Sequence, residues 1–331
     1  MTACTGPEPV DASDPFAEAM QAALESGASA IDAPGAVLVT TGPDFSGATG
    51  FAEVTEPIAM TSEHAFRIGS ITKTFVAAVA LELHGEGVLD LDQPASIGVP
   101  SAPHAAEYTL RQCLAHSAGL PDYVDDLGFL ANLDEEHSPD ELLAYIEGEE
   151  LLFDPGEGFF YSNAGYVVVG MAIEAAVGHD YAIEVRRRFV EPLGLSGTFV
   201  PSYDGEPENL AHGYMGEGEL VDVTASIHPS GPWASGEMVS TGADLAVWGR
   251  ALYLGDALEP GLLDQMLEDS GHGYGLGVYL EDESVGHSGS TQGFQGRLRV
   301  RGDTVVVSLV NNFFAEADVI DSEAWAVLGT D

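Results

Sequence analysis

The sequence contains almost no lysine. Of its 331 residues only ten are basic, Lys73 is the single lysine among them, and 54 acidic residues give a formal net charge of −44. A chain this negative is repelled by nucleic acid and by anionic membranes, so neither is expected as a partner. A surface that excludes lysine has no solvation reason to keep one, and we therefore expect that Lys73 is retained for chemistry.

Cysteine and long apolar segments are also scarce. The two cysteines, Cys4 and Cys113, are too few for a disulfide scaffold. No apolar run approaches the ~20 residues that a membrane-spanning helix needs. The opening Met1-Thr2-Ala3-Cys4 resembles the end of a lipoprotein signal, although the hydrophobic stretch of such a signal is not present. We therefore predict an extracytoplasmic protein, secreted or tethered to the outer face of the membrane through a lipidated Cys4.

The acidic composition has two interpretations. Many carboxylates with few lysines are typical of proteins adapted to high salt, because salt screens the self-repulsion of the folded chain. An ordinary acidic secreted enzyme would have a similar composition. Arg186-Arg187-Arg188 is the only basic run, and in so acidic a chain it is expected to form ion pairs rather than a binding patch.

The order of periodic segments predicts an α+β fold. Strand patterns lie near both ends of the chain, at residues 36–39 and 47–54 and again at residues 275–280, 284–287, 296–301 and 304–310. Residues 89–225 show mainly helical patterns. We therefore predict an antiparallel sheet built from both termini and flanked by helices, with an all-helical lobe inserted at about residues 89–225. Residues 1–13 read as a disordered leader and residues 14–331 as one domain.

Ser70 and Lys73 are the first candidate site residues. They are spaced i, i+3 at the start of a helix that is apolar on nearly every side, so both side chains lie on one face of a buried helix. A serine becomes a nucleophile when a base takes its proton, and a lysine is that base only if its pKa is lowered. Burial and the positive end of the helix dipole act in that direction. The alternative is that Ser70 caps the helix and Lys73 is a surface residue.

Two further motifs follow along the chain. A glycine-rich loop ends in Tyr161-Ser162-Asn163, and a tyrosine hydroxyl can pass a proton between a serine, a lysine and a leaving group. The alternative is a packed tyrosine before an asparagine that caps a helix. His287-Ser288-Gly289-Ser290 ends a predicted strand, where a backbone N–H can face that of Ser70 and form an oxyanion hole.

Together, Ser-x-x-Lys, Tyr-x-Asn and His-Ser-Gly in this order resemble the serine β-lactamase and penicillin-binding family. The resemblance is to class C β-lactamases, to their esterase relatives and to the Streptomyces-type D-Ala-D-Ala carboxypeptidases. It extends over most of the chain, through segments such as Phe66-Arg67-Ile68-Gly69-Ser70 and Leu114-Ala115-His116-Ser117-Ala118-Gly119-Leu120. It implies a β-lactamase/transpeptidase-like catalytic domain that acts on a small-molecule or peptide substrate without a cofactor.

The resemblance also implies roles for individual residues. Ser70 would form an acyl-enzyme, with Lys73 and Tyr161 sharing the proton transfers. Asn163 would bind the substrate amide, and His287 would polarise Tyr161 or the incoming group. The remaining implied substrate-binding residues are Ser288, Gly289 and Ser290 along the strand and Trp233 as an aromatic wall. The ten histidines show no spacing typical of metal ligands, so no metal is expected.

Tyr279 departs from the pattern. The carboxypeptidases carry an arginine just after Gly-Leu-Gly that binds the terminal carboxylate of the substrate, and here that place holds Tyr279. The first functional hypothesis is a penicillin-recognising D-Ala-D-Ala carboxypeptidase or a β-lactamase-like enzyme, and the histidine of the triplet favours the carboxypeptidase type. The alternatives are an esterase or D-amino-acid amidase or peptidase, and, in a different class, a β-lactam sensor that acylates without turnover.

Overall fold

The computed structural model describes residues 14–329. The predicted leader at residues 1–13, with Cys4, lies outside the described residues, and the extracytoplasmic location stays a prediction. None of the described helices combines the length and the apolar character needed to cross a membrane.

A seven-stranded antiparallel sheet joins the two ends of the chain. The strands are β1 (Gly35–Thr41), β2 (Phe45–Glu53), β3 (Ile58–Ala59), β4 (Phe66–Arg67), β5 (Tyr214–Met215), β6 (Val221–Asp222), β7 (Val239–Ser240), β8 (Tyr279–Glu281), β9 (Ser284–Thr291), β10 (Phe294–Arg301) and β11 (Thr304–Val310). The large sheet has the order β3-β2-β1-β11-β10-β9-β8. Strand β1 pairs with β11 from Ala36 opposite Val310 to Thr41 opposite Val305, which confirms the sheet predicted from both termini.

Helices cover both faces of this sheet. They are α1 (Pro15–Ala30), α2 (Thr72–Gly85), α3 (Leu110–Leu114), α4 (Leu127–Ala131), α5 (Pro139–Ala144), α6 (Asn163–Val177), α7 (Tyr181–Val185), α8 (Glu191–Leu193), α9 (Pro201–Asp204), α10 (Gly242–Tyr253), α11 (Pro260–Met266) and α12 (Ala317–Leu328). Side chains alternate along a strand. Ala36 and Leu38 of β1 therefore pack with α1 and α12, while Val37 and Val39 enter the larger core on the other face.

Residues 89–225 form a mostly helical region that contains α3 to α9. The short hairpin of β5 and β6 is an exception to the all-helical prediction. The three consecutive arginines lie on a π-helical turn, Arg186–Val190, that follows α7. Arg188 joins this region to α2, because its guanidinium bonds Glu82 and Glu86 at 2.7 Å each and Glu184 at 2.6 Å. The prediction that the basic run forms ion pairs is thus confirmed.

The predicted strand at residues 275–280 is wrong over most of its length. Only Tyr279–Glu281 is a strand, and the preceding residues turn back against α2. Gly277 has a φ of +76°, and a Cβ there would lie 2.7 Å from the Cβ of Ala77 and 2.8 Å from the carbonyl oxygen of Lys73. The apolar pattern reflects burial of Leu276 and Val278 in this turn rather than strand pairing.

The close packing of β9 against the start of α2 yields a stability prediction. A Cβ on Gly289 would lie 1.9 Å from the carbonyl oxygen of Ile68. Gly289→Ala therefore has to displace β9, and we expect a loss of about 1–3 kcal/mol in the free energy of unfolding. Gly261→Ala is the control, because a Cβ there meets nothing within 4 Å. We expect it to be neutral or to stabilise by up to about 1 kcal/mol. Urea unfolding of both variants at one salt concentration makes the comparison, and equal stability of the two would contradict the packing described.

Candidate active site

Ser70 lies in a 3-10 turn, Gly69–Ile71, that leads directly into α2. The N–H groups at the start of a helical segment have no partner within the helix. Gly69 has a φ of +51°, and a Cβ there would lie 2.8 Å from both the nitrogen and the oxygen of Ser290. The absence of a side chain at residue 69 therefore lets β9 approach the turn that carries Ser70, and Ser70 and Ser290 line the same cavity.

Lys73 is completely buried one turn after Ser70. Its Nζ lies 2.9 Å from Ser70 Oγ, 2.8 Å from Asn163 Oδ1 and 2.8 Å from the carbonyl oxygen of Ser235. Asn163 is the first residue of α6, and Ser235 belongs to the 3-10 turn Trp233–Ser235. Three separate segments thus meet at one amine.

Burial lowers the pKa of Lys73 to about 7, against the opposing effect of the Asp122 carboxylate. A neutral amine has two hydrogens and one lone pair. Asn163 Oδ1 and the Ser235 carbonyl can only accept hydrogen bonds, so they take the two hydrogens. The lone pair of neutral Lys73 is then directed at the Ser70 hydroxyl, which is the arrangement that a general base requires.

Tyr161 lies beside this pair with its ring centroid 4.8 Å from Lys73 Nζ. Burial raises the pKa of Tyr161 well above 10, although the neighbouring Ser70 acts in the opposite direction. Its hydroxyl is inaccessible and has no hydrogen-bond partner of good geometry among the described residues. Tyr161 is therefore neutral at physiological pH, which suits it to donate a proton to a leaving group rather than to remove one from Ser70.

His287 has contacts other than those expected. Its Nδ1 donates to the carbonyl oxygen of Ser288 at 2.5 Å, so its Nε2 accepts from the Tyr274 hydroxyl at 2.9 Å. Burial lowers the pKa of His287 to about 3, and the imidazole is neutral. The ring centroid lies 6.3 Å from that of Tyr161, and the hydrogen bonds found for the imidazole do not include the Tyr161 hydroxyl.

Tyr279 and Trp233 also lie differently from expectation. The Tyr279 ring is parallel to the Tyr161 ring at a centroid distance of 6.5 Å, so it packs behind the proton-transfer group. The Trp233 ring packs edge-on against Tyr181 at 5.1 Å and against Gly170 of α6. Neither Tyr279 nor Trp233 is among the described residues that line the cavity beside Ser70.

That cavity has a volume of about 290 Å³. Of the predicted residues, Ser70, Asn163 and Ser290 line it, whereas Ser288 does not. The aromatic and aliphatic side chains of its wall were not identified from the sequence: Tyr123, Val124, Phe129, Leu130, Leu133, Ile227 and Phe313. Several of them come from residues 123–133, which follow the Gly-Leu-Pro of residues 119–121. The apolar residues of this segment could have indicated a binding wall, but they form no recognisable motif.

Asp122 is a further residue that the sequence did not identify. Its Oδ2 accepts from the backbone nitrogen of Asn163 at 3.0 Å and from Asn163 Nδ2 at 2.8 Å. Burial raises the pKa of Asp122, while its hydrogen bonds and the charge of Lys73 oppose that effect. Its position directly after Gly-Leu-Pro was the only signal in the sequence.

One group within residues 14–329 has donor atoms spaced for a metal ion, namely His84, Asp90 and Asp92. Arg111 already occupies it, because its Nε and Nη2 donate to the two Asp92 oxygens at 2.6 Å and 3.0 Å. A guanidinium at that place supplies the positive charge, so the residues present do not favour a metal site.

A buried, neutral lysine bonded to a serine at the edge of a cavity is the arrangement of a serine hydrolase that works through a covalent intermediate. The chain belongs to the β-lactamase family, whose model matches residues 16–329. The members that it resembles include penicillin-binding proteins, an esterase and D-amino acid amidases.

Particular relatives differ in what they are named for. The chain is 28% identical to a penicillin-binding protein of Bacillus subtilis (strain 168), over 78% of this chain and 63% of that one. It is 29% identical to an esterase of Burkholderia gladioli, over 69% of this chain and 66% of the esterase. The chain thus spans about three fifths of the length of the first curated relatives it matches. The D-amino acid amidase of Ochrobactrum anthropi SV3, solved with L-phenylalanine, superposes with a TM-score of 0.87 at 28% identity, over 96% of this chain and 99% of that one.

The lowered pKa of Lys73 leads to a prediction for the pH dependence of catalysis. Only the neutral amine accepts the Ser70 proton, so kcat/KM for ester hydrolysis is expected to rise with pH through about 7 and then level off. Lys73→Arg introduces a group that does not deprotonate, and we expect a loss of at least about 100-fold with no such rise. Ser70→Ala is the blank for hydrolysis that does not use this site. A wild-type profile that is flat between pH 5 and 9 would contradict the assignment of Lys73 as the base.

Proposed function

We propose that this protein hydrolyses small amides or esters that carry an apolar side chain and no carboxylate, through an acyl-enzyme on Ser70. The observation that carries the proposal is the wall of the cavity beside Ser70. It combines aromatic and aliphatic side chains with hydroxyl and amide groups, and none of the described residues lining it is charged. An apolar wall of this kind favours an apolar substrate group, and its few polar groups orient the reacting carbonyl.

The chemistry follows from the positions of four groups. Ser70 Oγ adds to the substrate carbonyl while its proton passes to the lone pair of neutral Lys73. The backbone N–H groups of Ser70 and Ser290 stabilise the oxyanion. Tyr161 donates its proton to the leaving amine or alcohol and regains one from protonated Lys73. Water then attacks the Ser70 ester by the same route and releases the acid.

Substrates with a free carboxylate fit this site less well. Tyr279 stands where the carboxypeptidase pattern has an arginine. The charge of Arg297 acts on Tyr279 and His287, but its guanidinium is already paired with Glu281 and Asp318. The net charge of −44 adds a general repulsion of anions. The same argument disfavours penicillins, whose bicyclic nucleus bears a carboxylate, so we place the amidase or esterase alternative before the carboxypeptidase and the β-lactamase.

The names of the relatives support this order without deciding it. An esterase and a D-amino acid amidase are among the proteins that the chain resembles, and the amidase matches it over nearly the full length of both chains. Both are named for acting on esters or amides. We therefore extend that substrate class, with the D configuration at the α-carbon, to this protein.

A matched pair of substrates tests the proposal. D-phenylalanyl-D-alanine amide and D-phenylalanyl-D-alanine share the acyl group and the scissile bond but differ in a terminal carboxylate. We expect kcat/KM to be at least about 10-fold higher for the amide, because an unpaired charge costs more than about 1.4 kcal/mol to place there. L-phenylalanine amide tests the configuration, and Ser70→Ala is expected to abolish every activity.

Fluorescent penicillin separates the remaining alternatives. Fast labelling of Ser70 with slow release, and no hydrolysis of amides or esters, would overturn the proposal in favour of a penicillin-binding carboxypeptidase or a sensor without turnover. Fast labelling with fast release would indicate a β-lactamase. Hydrolysis of short nitrophenyl esters, with no hydrolysis of D-phenylalanine amide, would limit the function to that of an esterase.

Phe129 is expected to determine selectivity for the apolar side chain. It is 5% exposed and packs edge-on against Tyr123 at 5.0 Å on the wall of the cavity. Phe129→Ala is expected to lower kcat/KM for D-phenylalanine amide about 10- to 100-fold relative to D-alanine amide, since one buried apolar contact is worth about 1–3 kcal/mol in discrimination. Leu127→Ala on the same helix is the control, because Leu127 is 81% exposed. Equal losses for both amides would contradict a role of Phe129 in selectivity.

A further inference from the structure

A chain of three hydrogen bonds runs from the side chain of Asp122 to that of Ser70. Asp122 Oδ2 accepts from Asn163 Nδ2 at 2.8 Å, Asn163 Oδ1 accepts from Lys73 Nζ at 2.8 Å, and Nζ lies 2.9 Å from Ser70 Oγ. Asp122 is not among the described residues that line the cavity, so it does not face the substrate. Its effect on the reaction has to pass through Asn163.

The first consequence of this chain is the orientation of the Asn163 amide. An asparagine side chain can present either its oxygen or its NH₂ group in a given direction. A carboxylate only accepts hydrogen bonds, so Asp122 holds the NH₂ group on its own side and turns Oδ1 toward Lys73. With the amide reversed, the NH₂ group would compete with the Ser70 hydroxyl for the lone pair of Lys73.

The second consequence concerns charge. The titratable groups that face the Lys73 amine are Ser70, Tyr161, Tyr166, His116, His287 and Asp122. Burial raises the pKa of each tyrosine and lowers that of each histidine, so these four rings are neutral near pH 7. Two hydrogen bonds from Asn163 and the nearby Lys73 favour the carboxylate form of Asp122, against the effect of burial, which raises its pKa. The negative charge of Asp122 acts on Lys73 in the direction opposite to desolvation.

We propose that Asp122 is a positioning residue of this active site: it fixes the Asn163 amide so that Lys73 directs its lone pair at Ser70. Its carboxylate also keeps Lys73 from becoming so weak a base that it no longer takes the Ser70 proton. The inference rests on the proposed function only insofar as Lys73 is the base of the reaction.

A purely structural role is the alternative explanation. Asp122 also accepts from the backbone nitrogen at the start of α6, which stabilises a helix end in any protein. Loss of that contact would lower the melting temperature without changing how Lys73 titrates. The test therefore needs a readout that reports on Lys73 itself.

Lys73 is the only lysine of the chain, which makes that readout direct. Protein labelled with ¹³C and ¹⁵N in lysine alone has one lysine side-chain signal, whose pH titration reports the pKa of Lys73 without a substrate. In the wild type we expect a midpoint near 7. In Asp122→Asn we expect it to fall by about one pH unit, because an opposite charge near the amine is removed. All titrations are run at one salt concentration.

Asp125→Asn is the matched control. It removes the same charge three residues along the chain, from an exposed side chain. We expect the Lys73 midpoint and the catalytic constants to equal those of the wild type.

Asn163→Asp removes the donor of the hydrogen bond between Asn163 and Asp122. This variant also tests the inference if Asp122→Asn does not fold. A carboxylate at residue 163 accepts from Lys73 but cannot donate to Asp122. The added negative charge is then in contact with the amine, so we expect the midpoint to rise by at least about one pH unit. Opposite shifts in the two variants are not expected from a general loss of stability.

Kinetics complete the test. For Asp122→Asn we expect kcat to fall about 10- to 100-fold, with KM nearly unchanged and the acid limb of the pH profile displaced to lower pH. A Lys73 midpoint that is identical in wild type, Asp122→Asn and Asp125→Asn would overturn the inference, as would loss of activity in proportion to melting temperature alone. If the wild type hydrolyses no amide or ester, the proposed function fails, and the NMR titration still decides the role of Asp122.

Discussion

The contact between the Lys73 amine and the Ser70 hydroxyl is the constraint on which the rest of the site depends. An amine in this place is useful only when it is neutral, and it becomes neutral near pH 7 only because α2 is buried along almost its whole length. The carboxylate of Asp122 acts against this desolvation.

The use of arginine in place of lysine is consistent with a special role for Lys73. All arginines other than Arg250 form ion pairs with carboxylates within the described part of the chain, on surfaces or between elements. Arg250 instead donates to the carbonyl oxygen of Asp303. The cations that hold the fold together are thus guanidiniums, which stay charged at any physiological pH. The one basic side chain whose proposed role requires a neutral form is Lys73.

Local patterns predicted much of this molecule. Ser70 and Lys73 were identifiable because a spacing of three in a helix brings two side chains together whatever surrounds them. The antiparallel sheet from both termini followed from strand patterns that lie near both ends of the chain. The strand predicted over residues 275–280 was wrong because buried residues in a turn produce the same apolar pattern. The chain turns at Gly277, which has a positive φ and lies so close to α2 that a side chain there would collide with it.

The sequence alone determined the family and the α+β fold and identified the candidate nucleophile and base, because each of these is encoded in short segments. Only the tertiary structure decided which residues serve Lys73 and what the site can admit. Asp122 and Asn163 are 41 residues apart and meet only when α6 packs beside the turn before α4. Phe129, Ile227 and Phe313 form one wall although they belong to three distant segments. Contacts of this kind depend on packing and produce no regular spacing in the sequence. The sequence therefore indicated the type of chemistry but not the substrate preference.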